Sequence, residues 1–481
     1  MDKWKDELIS DEYDYELIQL RLEQLRVARE RNDLDAISFL LRVSMSRTFG
    51  DIGNMALYGH SHCGTKRLIE DYTAELIRCL ELMYQELPEE SRLDKRAKYE
   101  FFRGLRHMLG NTALLLSGGA SLGTHHLGVL KALYEASLLP RIVSGSSSGS
   151  IMASLLCTRR AEEIVELFAL TEINLNFLDS ANQMSLMDKF KRLLTQGAMF
   201  DQAVLKACMR ENLGDVTFLE AFKHSRRILN IAVSSSTQHE MPRMLNYLTS
   251  PNVLIWSAVV ASCAVPGMFS SSGLLAKDPI TGALIPWQLD DHRWIDGSVE
   301  NDIPRQRIAE LFNVNHFIVS QVNPHVTPFL ERMPSRKRAS RLNSLLKSAL
   351  FLLHSEVCFR LQQIISLGWF WPRQLHHLLS VLSQKYDGDI TILPEMVAAD
   401  LGNLFTDPTM DRIVKSVRRG ERATWPLLSV IHNQCKVELY LDQLLGGLTT
   451  EKDTKLFNNQ LQHRSTSPLF RVQSQADMST E

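Results

Sequence analysis

A serine at the centre of a glycine-flanked turn is the first residue of this chain that could do covalent chemistry. Ser147 stands between Gly145 and Gly149 in the stretch VSGSSSGSIM, which contains the pattern G-x-S-x-G. The pattern follows a short apolar run and opens a helical one, the strand–turn–helix setting that exposes a nucleophilic serine. The glycines allow a sharp turn and keep side-chain bulk away from the attacking oxygen. An ordinary serine-rich turn is the alternative.

A nucleophilic serine needs fixed N–H donors for the oxyanion that its attack creates. The loop SGGASLG offers the N–H groups of Gly118, Gly119 and Ala120, and Gly123 closes the same loop. Small residues let the backbone approach a substrate, and N–H groups at a helix start suit an anion. The alternative is a nucleotide phosphate loop. That match is poor, because the glycine spacing is wrong and no acidic residue follows at ribose distance.

The proton of the serine must pass to a base, for which Asp296 is the candidate. It precedes Gly297 in the stretch WIDGS, after a short apolar run. A carboxylate is a weak base in water, so it would have to contact the hydroxyl directly. A plain Asp-Gly turn is the structural alternative. The competing chemistry is a triad of Ser147, Asp291 or Asp296, and His325, which stand in α/β-hydrolase order.

The elements that would position these residues are short apolar runs that alternate with helical patterns. This alternation predicts an α/β sheet covered on both faces. His125 and His126 begin the helix after the glycine loop, where we expect packing histidines with satisfied hydrogen bonds. The predicted strands lie within residues 112–117, 141–145, 228–236, 316–322 and 388–394.

The pattern along the chain divides it into five segments. Residues 1–110 carry apolar side chains at helical spacing and form a predicted helical N-terminal domain. Residues 111–330 are the predicted catalytic core, and 331–387 form a basic, amphipathic helical insertion. Residues 388–447 supply a strand and helices expected to pack on the core. Residues 448–481 have a Ser-, Gln- and Asn-rich composition typical of a disordered tail.

The overall composition excludes several classes of protein. Lys plus Arg number 53 and Asp plus Glu 55, so the net charge of −2 argues against nucleic-acid binding. Seven scattered cysteines without a C-x-x-C pair favour reduced thiols in a cytosolic protein. The start of the chain lacks a signal-peptide core, and the longest apolar stretch, 253–269, is short for a spanning helix. We therefore expect a soluble or peripherally bound protein that is not secreted, with no metal or other cofactor. The oligomeric state is not predicted.

The stretches SGGASLGTHHLGVL, GSSSGS and WIDGS, in this order and spacing, resemble the patatin-like phospholipase family. The stretch WSAVVASCAVPGMF resembles the helix before the A-x-P turn of that family. A second group of stretches resembles the lipid-droplet triacylglycerol lipases of fungi and plants, so that the similarity covers about residues 4–446. These stretches are DYELIQLRLEQLRVARERNDLDAISFLLRVSMSRTFGDIGN, GTKRLIEDYTAEL, QKYDGDITILP and ERATWP.

The resemblance implies a patatin-like three-layer α/β/α sandwich with a mainly parallel sheet, an all-helical N-terminal domain and helical C-terminal additions. It also implies a Ser-Asp dyad without a catalytic histidine. Ser147 would be the nucleophile, Asp296 the base, and Gly118–Ala120 the oxyanion hole. This chain departs from the family pattern G-G-G-x-R/K-G, since Ala120 replaces the third glycine and Leu122 the basic residue. The lost positive charge favours a neutral ester over an anionic head group.

The resulting hypothesis is a lipid acyl hydrolase, with triacylglycerol as the first candidate substrate. It would act through an acyl-enzyme intermediate at the cytosolic surface of lipid droplets or membranes. The expected partners are neutral lipid or phospholipid and a lipid surface, without nucleic acid. The alternatives are phospholipase or lysophospholipid acyltransferase activity, and a non-catalytic protein that keeps the fold to bind droplets.

A lipase of this kind must meet its substrate at an oil–water surface, and residues 336–371 have matching chemistry. A stripe of Leu, Val and Ile on one helical face suits a monolayer, and a lid or core helix is the alternative. Ser340 resembles a basophilic kinase site, where a phosphate would reduce the basic charge. The residues expected to meet lipid at the two ends are Arg336, Lys337, Arg338 and Arg341, and Trp369, Phe370 and Trp371.

Overall fold

The protein is described by a computed structural model in which two helical groups flank a central sheet. The described residues are 2–61, 63–87, 92–160, 162–170, 173–178, 195, 198–235, 242–287, 293–297, 302–324, 326, 352–353, 356–357, 359–360, 363, 384 and 386–448.

The described helices up to residue 225 are α1 (Asp2–Asp6), α2 (Tyr15–Glu30), α3 (Leu34–Ser44), α4 (Arg67–Glu86), α5 (Arg92–Leu109), α6 (His125–Glu135), α7 (Ser148–Cys157), α8 (Glu163–Ala169), α9 (Gln202–Leu213) and α10 (Phe218–Ser225). The later ones are α11 (Ile255–Ser262), α12 (Arg305–Phe312), α13 (Ala398–Gly402), α14 (Met410–Thr424) and α15 (Leu428–Leu448). Short 3-10 turns lie at Phe49–Asp51, Met55–Tyr58, Ala120–Thr124 and Trp425–Leu427.

Within the described part of the chain, the strands form a seven-stranded, mainly parallel sheet and a separate two-stranded hairpin. In the main sheet the order is β4-β3-β2-β1-β8-β9, and β7 also pairs with β3. The five neighbouring strands β3, β2, β1, β8 and β9 run parallel to one another. Strands β4 and β7 pair with β3 in the antiparallel sense. The strands are β1 (Asn111–Leu116), β2 (Ile142–Gly145), β3 (Ile228–Ser235), β4 (Arg243–Leu245), β5 (Leu275–Lys277), β6 (Leu284–Pro286), β7 (Trp294–Asp296), β8 (Val314–Ser320) and β9 (Ile390–Ile392).

Alternate residues of β1 enter two different cores, which shows that helices cover both faces of the sheet. Leu114 and Leu116 belong to the larger core, which also holds the apolar residues of α6, α7 and α11. Leu115 belongs to the smaller core on the opposite face, together with Ile308 and Phe312 of α12. Because successive strand residues point to opposite faces, this is the burial expected of a sheet between two helical layers. The predicted α/β/α class is confirmed.

The N-terminal helices form as their apolar spacing predicts. The stripe of α2 is buried at Ile18, Leu22, Leu25 and Ala28. The Asp33 side chain accepts a hydrogen bond from the N–H of Ala36, 3.0 Å away, and so caps α3 as its sequence position predicts. In α4 the apolar stripe from Leu68 to Met83 is likewise buried.

The C-terminal helices contact two different parts of the molecule. Helix α14 crosses α6 at a pair of glycines, since a Cβ on Gly128 would lie only 1.9 Å from the carbonyl oxygen of Val417. Helix α15 packs instead against α4 and α5 of the N-terminal group. The segment predicted to pack on the core therefore also joins the core to the N-terminal helices.

Several predictions concern residues outside the described ranges. They include most of the predicted insertion 331–387, with all of its basic and aromatic end residues and Ser340, and nearly all of the predicted tail 448–481. Within the described part of the chain, no helix combines the length and hydropathy needed to cross a bilayer. The six described cysteines are free thiols.

A buried ion cluster joins the N-terminal helices, α15 and the start of β1. Glu438 of α15, 9 % exposed in its side chain, accepts hydrogen bonds from Arg47 and Arg106, each 2.6 Å away. Its carboxylate also accepts the N–H of Thr112 on β1, 3.0 Å away. Burial alone would raise the pKa of Glu438, but the Arg106 and Arg47 guanidiniums outweigh this effect and hold the pKa below its ordinary value. The cluster thus fixes the amino end of β1.

We expect Glu438→Gln to lower the thermal unfolding midpoint of the full chain substantially. The substitution removes the carboxylate charge that the two buried arginines share, and among the described residues only Arg106 keeps another counter-charge, that of Asp442, 2.7 Å away. Removing one partner of a buried pair costs about 3–5 kcal/mol. Circular dichroism on heating measures the midpoint. The matched control is Glu310→Gln, which breaks an exposed pair with Arg307 and should leave the midpoint unchanged. Equal midpoints for both variants would contradict a structural role for the cluster.

Candidate active site

Ser147 occupies a strained turn between β2 and α7. It directly precedes the first residue of α7, and its φ of 50° and ψ of −127° are rare for a residue with a side chain. Such a conformation costs on the order of 1–3 kcal/mol and persists only where the surroundings fix it. The Ser147 N–H donates to the hydroxyl of Ser262, 3.1 Å away, which is one such restraint. The turn has the strand–turn–helix geometry that the sequence pattern predicts for a nucleophile elbow, and we call it the elbow.

The two glycines beside Ser147 are required by close approaches of the backbone. A Cβ on Gly145 would lie 2.3 Å from the carbonyl oxygen of Gly149. A Cβ on Gly149 would lie 2.2 Å from the carbonyl oxygen of Leu116, at the end of β1. No side chain fits in either place, so the elbow can press directly against the neighbouring strand end.

The glycine loop after β1 has the geometry of a donor site for an anion. Gly119 has a φ of 152° and Ala120 a φ of 49°, so two consecutive residues have positive φ. Among the described residues, the N–H groups of Gly119 and Ala120 meet no hydrogen-bond acceptor. The N–H of Gly118, also expected to be available to an anion, already donates to the Oδ1 of Asp302, 2.9 Å away. The loop therefore offers two N–H groups, not the three expected.

Asp296 ends β7 beside the carboxyl-terminal half of β3. It is fully buried and pairs with Val233 in the sheet. Its N–H donates to the carbonyl of Ala264, 3.1 Å away. Gly297 follows in a close approach, since a Cβ there would lie 2.3 Å from the carbonyl oxygen of Ala232. This environment is more confined than the plain surface turn that was the alternative for Asp-Gly.

Ser262 and Cys263, at the end of α11, lie next to Ser147. Ser262 accepts the N–H of Ser147 and donates its own hydroxyl to the carbonyl of Ala232, 2.8 Å away. The Cys263 side chain lies close to both the Ser147 side chain and Asp296. Burial, and after it the charge of Asp296, raises the pKa of the Cys263 thiol. The thiol therefore stays neutral and does not compete as a nucleophile.

Asp302 is a site residue that the sequence analysis missed. It is 1 % exposed, and its Oδ1 and Oδ2 accept the N–H of Gly118 and the side-chain amide of Asn323, 2.9 and 2.7 Å away. Burial raises the pKa of Asp302 to about 7, with a further rise from Asp296, although both hydrogen bonds lower it. No local pattern indicates this residue, because its partner Gly118 is 184 positions away.

Both histidines after the glycine loop are buried, and His126 has the satisfied hydrogen bonds that the sequence predicts. His125 bonds only through Nδ1, to the carbonyl of Leu122, 2.9 Å away, and its buried Nε2 has no partner among the described residues. His126 bonds through Nδ1 to the Ser320 hydroxyl, 2.7 Å away, and through Nε2 to the carbonyl of Ser117, 3.0 Å away. Burial lowers the pKa of His126 to about 4 and lowers that of His125 as well. Both rings are therefore neutral at physiological pH. The triad candidates His325 and Asp291 lie outside the described residues.

Two family models match the chain in succession. A domain of unknown function (DUF3336) matches residues 1–107, and the patatin-like phospholipase model matches residues 114–307. The second range contains the glycine loop, the elbow and the WIDGS turn.

Several curated relatives match more than nine-tenths of the chain, among them three triacylglycerol lipases. Triacylglycerol lipase ptl3 of Schizosaccharomyces pombe is 39 % identical over 91 % of this chain and 90 % of its own length. Triacylglycerol lipase 4 of Saccharomyces cerevisiae is 41 % identical over 92 % of this chain, which spans half of that protein. Triacylglycerol lipase SDP1L of Arabidopsis thaliana is 40 % identical over 91 % of this chain and 55 % of its own length. The chain belongs to the patatin-like phospholipase family of hydrolases, in the group that these triacylglycerol lipases form.

Proposed function

We propose that this chain is a triacylglycerol lipase that works through Ser147 and Asp296 and an acyl-enzyme intermediate. The observation that carries the proposal is the meeting of three features at one edge of the sheet. They are the strained elbow of Ser147, the loop with two N–H groups at Gly119 and Ala120, and the buried Asp296 beside Cys263. The names of the three relatives support triacylglycerol as the substrate.

In the first half-reaction, the Oγ of Ser147 attacks the ester carbonyl carbon while its proton passes to the carboxylate of Asp296. The carbonyl oxygen becomes negatively charged in the tetrahedral intermediate and accepts hydrogen bonds from the N–H groups of Gly119 and Ala120. The intermediate collapses as Asp296 returns the proton to the oxygen of the leaving diacylglycerol. A fatty acyl group then remains esterified to Ser147.

In the second half-reaction, a water molecule takes the place of the diacylglycerol. Asp296 accepts a proton from the water as it attacks the acyl carbon, and the same two N–H groups hold the second oxyanion. Proton return to the Oγ of Ser147 releases the fatty acid and restores the enzyme. An alcohol acceptor in place of water would give acyl transfer by the same steps.

The composition of the glycine loop supports a neutral substrate. Leu122 holds the position that the family pattern gives to a basic residue, and it is buried in this structure. The site therefore lacks the cation that would pair with a phosphate at that place.

Parallel assays on triacylglycerol, phospholipid and lysophospholipid test this preference for a neutral substrate, and we expect triacylglycerol to be hydrolysed fastest. Faster hydrolysis of a phospholipid would favour the phospholipase activity for which the family is named.

We also propose that residues 336–371 dock on the surface of a lipid droplet or membrane from its cytosolic side. Leu353 and Val357 are helical, and because they are four positions apart they lie on the same face of a helix. They are 62 % and 47 % exposed, and Leu352 and Phe359 are exposed as well. Exposed apolar side chains support lipid contact over burial in the core.

The dyad is tested by three substitutions. We expect Ser147→Ala and Asp296→Asn each to abolish triacylglycerol hydrolysis without unfolding the chain, since each removes one chemical role. His325→Ala should keep most of the activity, because the dyad needs no histidine. Hydrolysis is measured by fatty acid release, and folding by circular dichroism.

A fluorophosphonate probe supplies the control for this test. The wild-type protein should be labelled covalently and Ser147→Ala should not. Labelling of the alanine variant would place the nucleophile elsewhere, and no labelling of the wild type would favour a binding protein. A folded but inactive His325→Ala variant would support the triad.

The oxyanion loop is tested by Gly119→Ala. A Cβ at Gly119 would lie 2.8 Å from the Cγ2 of Val322, on a backbone with positive φ, so the loop must shift. Loss of one oxyanion donor typically lowers turnover by about 100- to 1,000-fold, and we expect a fall in kcat of that order. Turnover of a soluble short-chain ester measures it.

The matched control for the loop is Gly104→Ala in α5. A Cβ at Gly104 meets no atom within 4 Å, and alanine favours a helix more than glycine does. This variant should keep full turnover and should not melt earlier. Unchanged turnover in a folded Gly119→Ala variant would exclude Gly119 as part of the oxyanion hole.

The lipid-facing segment is tested by two sets of substitutions. Replacing Arg336, Lys337, Arg338 and Arg341 by Gln should weaken binding to anionic droplets, because each cation near such a surface contributes about 1 kcal/mol. The loss should shrink at high salt, where the attraction is already screened. Replacing Trp369 and Trp371 by Ser should weaken binding at any salt concentration, since that contribution is apolar burial.

Droplet flotation measures this binding, and turnover of a soluble short-chain ester is the control that both variants should pass. If droplet binding persists in both while the protein melts earlier, the segment is a lid or core helix.

A further inference from the structure

The proposed mechanism leaves one buried carboxylate of the site without a role. Asp302 lies on the chain between β7 and α12 and is as completely buried as Asp296. A buried carboxylate is costly unless hydrogen bonds compensate it, so its contacts indicate what it does. Those contacts reach both loops that form the site.

The side chain of Asp302 holds the oxyanion loop. Its Oδ1 accepts the N–H of Gly118, the residue directly before the two N–H groups that are available to substrate. On the other side of the loop, the N–H of Val322 donates to the Ser117 hydroxyl, 2.9 Å away. Gly118 is therefore fixed from the side of Asp302, and Ser117 from the end of β8.

The backbone of Asp302 holds the elbow. Its carbonyl oxygen accepts a hydrogen bond from the hydroxyl of Ser146, 2.9 Å away, and Ser146 is the residue directly before Ser147. One residue thus contacts the loop through its carboxylate and the elbow through its carbonyl. Each contact is one position away from a group that the mechanism uses.

The carboxylate itself is held in place by a second donor. The side-chain amide of Asn323 donates to Oδ2, 2.7 Å away, so both carboxylate oxygens have a partner. The N–H of Asp302 donates to the Oε1 of Gln384, 2.9 Å away. The side chain and the backbone of Asp302 are therefore both fixed, as a residue that sets the position of others requires.

We propose that Asp302 is a positioning residue that sets the distance between the Ser147 nucleophile and the oxyanion N–H groups of Gly119 and Ala120. This inference rests on the proposed function. Reacting groups tolerate little displacement, and a shift of about 1 Å can cost on the order of 100-fold in rate. Because the oxyanion exists only after the attack, loss of this positioning should act on kcat and leave KM nearly unchanged.

The test compares Asp302→Ala with Asp302→Asn in the full chain, with a soluble short-chain nitrophenyl ester as substrate. Alanine removes the acceptor of the Gly118 N–H, and we expect kcat to fall by about 10- to 100-fold. Asparagine keeps an oxygen for Gly118 and can donate to Asn323 if that amide turns its oxygen towards it, so most of kcat should return. The control Asp411→Ala removes an exposed carboxylate of α14 and should keep wild-type kcat.

Active-site titration with a fluorophosphonate counts the folded molecules, so that kcat can be given per folded molecule. If Asp302 only stabilised the fold, its substitution would lower the number of folded molecules and leave this kcat unchanged. An unchanged kcat in Asp302→Ala, or a rise in KM alone, would overturn the proposal. Equal loss in the alanine and asparagine variants would also overturn it, because the charge and not the acceptor would then matter.

Two parallel variants complete the test. Ser146→Ala removes only the hydroxyl that contacts the Asp302 carbonyl, and should lower kcat several-fold without unfolding the chain even if Asp302→Ala does not fold. A normal kcat there would contradict the link to the elbow. Activity in Ser147→Ala would contradict the proposed function. An inactive Ser147→Ala beside an unaffected Asp302→Ala would contradict only the present inference.

Discussion

The site depends on how closely the backbone after β2 approaches the end of β1. The two strands are parallel neighbours, with Leu116 opposite Gly145, so their carboxyl ends meet at one edge of the sheet. The elbow is then pressed against β1, where only a hydrogen fits at Gly149 beside the carbonyl of Leu116. Ser147 has its positive φ in this elbow, and α7, which begins at the next residue, contacts the 3-10 turn that follows the glycine loop. The strained conformation of Ser147 persists because the close packing around the elbow holds it, which fits the role proposed for this residue.

Features of the site that depend on neighbouring residues could be predicted from the sequence, whereas contacts between distant residues could not. Short apolar runs predict strands β1, β2, β3, β8 and β9, and glycines predict the loop and the elbow, because these are properties of neighbouring residues. Ser262, Cys263 and Asp302 act across the fold. The bond from Ser147 to Ser262 spans 115 positions and that from Gly118 to Asp302 spans 184, so no local spacing encodes them. Asp302 is also one of 55 acidic residues, and only its burial distinguishes it.

The number of N–H groups that the glycine loop leaves free shows the same limit within a motif that the sequence does reveal. Three consecutive small residues predict three equivalent N–H groups, since sequence alone cannot show which donors are already satisfied. In the fold, Asp302 takes the N–H of Gly118, and the positive φ of Gly119 and Ala120 leaves the next two exposed to a ligand. An alanine accepts this backbone at some cost in strain. The departure from a third glycine is therefore compatible with the role that the loop is proposed to have.

The support of the loop extends well beyond the segment that carries the motifs. The patatin-like model ends at residue 307, yet the N–H and hydroxyl of Ser121 donate to the carbonyls of Leu404 and Asn403. Helix α14 then lies directly on α6, the helix that follows the loop, because glycines at their crossing remove the intervening side chains. At the other end of β1, Glu438 binds Thr112 and two arginines of the N-terminal group. The segment that runs from the start of β1 through the glycine loop is thus held near both ends by residues that lie more than 280 positions later in the chain. The flanking helices are therefore part of what holds the site in shape, which gives a physical reason why the similarity to the relatives covers nearly the whole described chain and not the motif-bearing core alone.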